Sequence, residues 1–353
     1  MPDCYFIEHT SYGCGDEATF HIRWNGMRMM VHLDQNPVPD AAESIFIKRY
    51  TDACLGGDED IVDQIQDQIL DAIVEAGEVA FDTLSPATQT RADLHSAIFP
   101  LQYSFRLVTV GGKLELRSEG TYLLKPYARP RLGFESALIT SSLQSPEAQL
   151  DPPFELDVAN SHATKHGTTA IQMVQNLIGP GYISHVSVND VHMCAKVARY
   201  FDVASTQREL DCLARITAHA AQSSSRVNIP KLLGLIEIPN SGKVIGVLEE
   251  LIPAHKGQGP STLAKVEDMC AIARPRREAW AKQVQQTVGW LHGIGVVWGD
   301  GKADNVLIHP ETDEAWLIDF GGGWTDGWVD QELAGTVEGD KQAVRRMLEF
   351  LQV

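Results

Sequence analysis

The chain is 353 residues long, enough for two domains and a sizeable core, and 44% of its residues are apolar against 22% charged. That composition excludes a disordered, collagenous or low-complexity chain. Acidic residues outnumber basic ones 47 to 29, a net charge of −18, which argues against a nucleic-acid binder, because backbone affinity comes from Lys and Arg displacing counterions.

The opening MPDCYFIEHTSYGCGDE has neither a basic n-region nor an apolar h-region, so no secretory signal is expected. No apolar run approaches the roughly 20 residues of a membrane span, and no membrane partner is expected. Cys4, Cys14, Cys54, Cys194, Cys212 and Cys270 are scattered, with no C-x-x-C pair. Reduced thiols in a cytoplasmic protein are the expectation.

In chain order, residues 18–33 alternate apolar and polar around Asn25-Gly26, the residue pair that a type I′ hairpin turn demands. A helix is predicted over 58–81, with Ile61, Ile65, Ile69 and Ile73 spaced by four on one face. A second hairpin is predicted over 105–117, turning on Gly111-Gly112. Residues 1–140 thus read as a separate α+β domain without a catalytic constellation. Residues 141–168, rich in Pro, Ser and polar side chains, read as a linker. His162 and His166 within it lack a third ligand and read as solvated loop rather than metal site.

Three successive strands are predicted over 169–178, 182–188 and 191–201, then a helix from Ser205, its N-cap, carrying Glu209 in its second turn. A hairpin over 231–251 turns on Asn240-Ser241-Gly242, and a helix over 278–295 ends in a Gly-rich stop.

The strongest signal lies beyond. Residues 296–308 read VVWGDGKADNVLI, and AWLIDFGGG follows, so that Asp300, Lys302 and Asn305 precede one short apolar strand and Asp319-Phe320-Gly321 ends the next. These residue types suit phosphoryl transfer, which needs positioned charge more than covalent help. Asp300 can orient a hydroxyl and take its proton, and Lys302 can neutralise charge on the transferring group. Asn305 and Asp319 offer the hard oxygens that Mg²⁺ prefers alongside phosphates.

This arrangement resembles the protein-kinase-like superfamily, whose catalytic loop reads H-R-D-x-K-x-x-N and is followed by D-F-G. The resemblance, covering about 170–350, implies a two-lobed α+β fold with an N-lobe over 169–252 and a truncated C-lobe over 253–353. It implies ATP and Mg²⁺ as cofactors. Gly179, Gly181 and Ser184 would belong to the glycine-rich loop, Lys196 would hold ATP phosphates, and Glu209 would pair with that lysine. Glu249 and Leu251 would contact adenine from the hinge, behind Leu248 as gatekeeper. Asp340 is similar to the aspartate that anchors the catalytic loop from a later helix.

The chain departs from the family at Trp298-Gly299, which replaces His-Arg. Trp298 can still pack under Phe320, but Gly299 cannot clamp a phosphorylated loop, so switching by loop phosphorylation is not expected. Only 32 residues follow Gly321, room for one helix with Val344, Met347, Leu348 and Leu351 on one face. The tail is similar to that of short fungal kinase-like proteins. Trp324 and Trp328 within it are expected to pack over the short lobe rather than stack on substrate. The expected activity is transfer of the γ-phosphate of ATP to a hydroxyl, on a small metabolite in preference to a protein Ser/Thr. The alternative is a catalytically weak or inactive ATP-binding scaffold acting through residues 1–140.

Overall fold

The structure, a computed structural model, describes residues 5–12, 17–25, 27–36, 40–57, 59–84, 93–99, 102–122, 152, 154–179, 181–199, 202–220, 227–253 and 262–353. Among them it holds six α-helices and thirteen strands, a mixed α+β fold in two units, Met1–Asp151 and Pro152–Val353. No described helix is long and apolar enough to cross a membrane. Cys54, Cys194, Cys212 and Cys270 are free thiols; Cys4 and Cys14 lie outside the described residues.

The first unit is a sheet of β1 (Tyr5–Tyr12), β2 (Glu17–Trp24), β3 (Met27–Asp34), β4 (Gln102–Val110) and β5 (Lys113–Tyr122), in that order. Both predicted hairpins are present, with Trp24 facing Met27 and Val110 facing Lys113. Asn25, Gly111 and Gly112 take the positive φ of 44°, 57° and 81° that such turns need; Gly26 lies outside the described residues. β3 and β4 pair in parallel, which requires a crossover. Helices α1 (Ala42–Gly56), α2 (Glu59–Leu84) and α3 (Leu94–Ile98) supply it.

Ile65, Ile69 and Ile73 of α2 are buried in one core with Phe20, Ile22, Val31 and Phe105. Ile61, expected on the same stripe, is 46% exposed because it falls in the helix's first turn. The buried Glu43 of α1 accepts from Asn36 Nδ2 at 2.8 Å, from Thr109 N at 3.1 Å and from the Thr109 hydroxyl. Burial opposes its charge, yet these bonds hold its carboxyl below the usual range. It ties α1 to β4.

The second unit opens on a sheet ordered β6 (Lys165–Gly167), β10 (Leu232–Glu237), β11 (Val244–Glu250), β9 (Val191–Val197), β8 (Ile183–Val188) and β7 (Gln172–Ile178). Part of the expected linker belongs to it: Leu156 is buried with its N–H on Val244 O, and β6, carrying His166, pairs with β10. Residues 141–151 of that segment lie outside the described residues.

Helix α4 (Val203–Ala220) begins two residues earlier than predicted, so Ser205 stands inside its first turn rather than at its cap. α5 (Arg274–Gly293) likewise starts earlier, with Pro275 in its first turn, where a missing N–H is harmless. The hairpin β12 (Val306–Ile308) and β13 (Ala315–Leu317) and helix α6 (Val337–Leu351) complete the unit. Their core gathers Trp280, Val284, Trp298, Val306, Leu317, Phe320, Met347 and Leu351, with Val344, Leu348 and Trp328 packed on it. Trp328 packs against Phe350 as a tilted ring pair, centroids 5.8 Å apart, whereas Trp324 is 45% exposed and donates Nε1 to Val329 O.

Candidate functional site

Strand β9 places Lys196 with Cys194 and His192 on one side by its period of two. In register across β11, Cys194 faces Glu249. The Lys196 ammonium pairs with Glu209 of α4 and lies 3.3 Å from Glu249 Oε1, a contact without hydrogen-bond alignment. Glu209 and Glu249 are 5% and 3% exposed. Burial works against the charge on Lys196, but Glu209, Glu249 and Asp319 outweigh it and hold the pKa well above the usual value. Burial pushes the Cys194 thiol to about 12, with Glu249 adding to the effect.

Glu209 also joins the sheet to the motif strands: its Oε1 accepts from Phe320 N at 3.2 Å. Asp319, at φ 63°, stands one residue away. Burial raises its carboxyl, with Glu209 and Asp300 adding and Lys196 opposing. Asp300 is 6% exposed. Its Oδ2 accepts from Lys302 Nζ at 2.7 Å and from Asn305 Nδ2 at 3.3 Å, and its Oδ1 accepts from the Thr325 hydroxyl at 2.9 Å. Lys302 Nζ also donates to Thr325 Oγ1 at 3.0 Å. Asn305 gives its amide nitrogen to Asp300 O at 2.8 Å, which leaves Oδ1 as its oxygen donor.

The loop ahead of Asp300 hangs on Asp340, 2% exposed at the start of α6. Its Oδ2 accepts from Trp298 N and from His292 Nε2, and its Oδ1 from Gly299 N, each at 2.8 Å. Trp298 is fully buried in the same core as Phe320 and donates Nε1 to Ile318 O at 2.9 Å.

The remaining expected residues fall on the sheet. Gly179 and Gly181 both take positive φ, 59° and 74°, in the turn from β7 to β8. Gly181 N donates to Asn176 Oδ1 at 2.9 Å, and Ser184 is buried on β8 with its hydroxyl 3.5 Å from the same oxygen. Glu249, expected as a backbone contact for adenine, turns its side chain onto Lys196, while Leu248, expected in the gatekeeper position, is fully buried. Leu251, half-buried, follows directly on β11. Sequence reasoning did not single out Thr325 or Arg208. The signal for Thr325 is its place four residues beyond Gly321.

Among the described residues no three His, Cys, Asp or Glu side chains form a metal cage. The oxygen donors of Asn305 and Asp319 fit Mg²⁺ in its usual manner, a few protein oxygens completed by phosphate and water. A groove of about 380 Å³ in the first unit, lined by Arg49, Asp52, Ile61, Gln64, Ile65 and Gln68, contains none of these groups.

Of the three carboxyls that act on the Lys196 ammonium only Glu209 bonds it, and Glu249 rises from 4.5 to about 8, chiefly through burial. A carboxyl with a raised folded-state pKa keeps its proton longer in the folded chain, so its contribution to stability is lost as pH climbs between those two values. Glu249→Gln has no such titration. In urea melts it should therefore gain on wild type progressively across that window. A constant difference would mean that Glu249 is ionised throughout.

A scan against protein-family models finds no match for this chain, and a search of curated proteins finds none.

Proposed function

We propose that the chain is an ATP- and Mg²⁺-dependent phosphotransferase that moves the γ-phosphate to a hydroxyl, on a small metabolite in preference to a protein Ser/Thr. The observation that carries this reading is the double engagement of Glu209, on the Lys196 ammonium and on Phe320 N. It joins a cation from the sheet to the segment that carries Asp319. Lys196 would hold phosphate oxygens, and Asn305 and Asp319 would hold Mg²⁺, which when bound offsets the charge of the polyphosphate. Asp300 would orient the acceptor hydroxyl and take its proton. Lys302, already paired with Asp300, would stand ready for charge developing on the transferred group.

The test is a mass-spectrometric count of ADP, AMP and phosphate after incubation with Mg-ATP and a panel of hydroxyl metabolites and Ser/Thr peptides. ADP matched by a phosphorylated metabolite is expected. AMP would indicate nucleotidyl transfer, and saturable ATP binding without turnover would indicate a binding module.

A further inference from the structure

Arg208 stands one residue before Glu209 on α4, and its guanidinium is spent on main-chain carbonyls. Nη2 donates to Val297 O at 2.8 Å, and Nη1 donates to Trp298 O at 3.2 Å and to Phe320 O. Two of these carbonyls precede Asp300 and the third follows Asp319. A planar, permanently charged group with five donors suits carbonyls converging from two segments, which a lysine ammonium on a flexible stem does not.

The surrounding backbone leaves room for it. At Gly299, with φ 91°, a Cβ would stand 2.5 Å from Arg208 Nη2, and at Gly322 one would stand 3.1 Å from Arg208 Cδ. At Gly321 a Cβ would run into the hydroxyl of Ser205, on the same helix. Space is therefore kept for α4 at three glycines, one of them at the position before Asp300.

We infer that Arg208 is a positioning residue that locks α4 against both carboxylate-bearing segments, so that the site stands assembled without phosphorylation of the chain after Asp319. That segment has little freedom to act as a switch, since Thr325, four residues past Gly321, already bonds Asp300. What the assembled site is for rests on the phosphotransferase reading; the lock itself rests on geometry.

The two are separable by experiment on the full chain. Amide exchange in Arg208→Ala should rise about tenfold, the loss of a charge-assisted bond, at Phe320, whose N–H is held by Glu209. Trp298 and Gly299, whose N–H groups are held by Asp340, should stay protected. In turnover, kcat should fall about 10²-fold, as for a misplaced reactive group, with KM for ATP less affected, and Arg208→Lys should recover only part of it. Phosphatase treatment should leave wild type unchanged. Should Arg208→Ala fail to fold, Arg208→Lys and Arg208→Gln carry the same readouts. Wild-type exchange at Phe320 in these variants, equal loosening at Trp298 and Gly299, or activity lost with phosphatase would each overturn the lock. Wild type without turnover would instead remove the phosphotransferase reading, and exchange at Phe320 would still decide the lock.

Discussion

Asp300→Asn is expected to lower turnover about 10³-fold, within the range that a positioned general base supplies, while ATP affinity stays close to wild type. The carboxylate oxygens of Asp300 are engaged by Thr325 on one side and by Lys302 and Asn305 on the other. An amide of the same shape keeps one acceptor and fits the same space, so the change removes the base and leaves the frame. Its effect should fall on kcat and on kcat/KM together, the signature of an interaction made in the transition state. A matching thermal midpoint for variant and wild type would attribute the loss to chemistry. Turnover equal to wild type would sink the assignment of Asp300.

Asp319→Asn should act on a different quantity. Asp319 is held at φ 63°, a left-handed conformation that Asn tolerates better than most residues, so the backbone is kept and only the charge is lost. Nucleotide affinity measured with Mg²⁺ and with chelator should differ in wild type and converge in the variant. The loss of Mg²⁺-dependent binding should exceed that of Asp300→Asn. Equal losses in the two variants would count against the division of labour between a proton acceptor and a metal ligand.

The parts of this molecule that could be read from its sequence are those whose causes are local. Asn25-Gly26 and Gly111-Gly112 announce hairpins because positive φ is a property of the residues themselves. The isoleucines of α2 announce a buried face because the period is written in four residues. The parallel pairing of β3 with β4 was not legible, since it depends on strands separated by three helices. Helix α1 hides its inward face, mixing a buried Glu43 with an exposed Ile45.

At the site the same division holds. The D-x-K-x-x-N and D-F-G strings carry their chemistry in sequence, but Arg208 does not. It is an ordinary arginine on an amphipathic helix whose partners are carbonyls 89, 90 and 112 residues away. Glu249 was ambiguous for another reason. In GVLEEL several neighbouring positions are buried, so alternation does not say which way a side chain turns; the register with Cys194, two residues before Lys196, decides it.

The three donors gathered by Asp340 set an order of events during synthesis. His292, Trp298 and Gly299 lie 41 to 48 residues upstream of the carboxylate that receives them. A nascent chain that has cleared the ribosome through Asp319 already carries Asp300, Asn305 and Asp319 yet lacks the brace for the loop bearing Asp300. That brace arrives only with α6. A chain cut short ahead of residue 337 would therefore leave that loop without its brace.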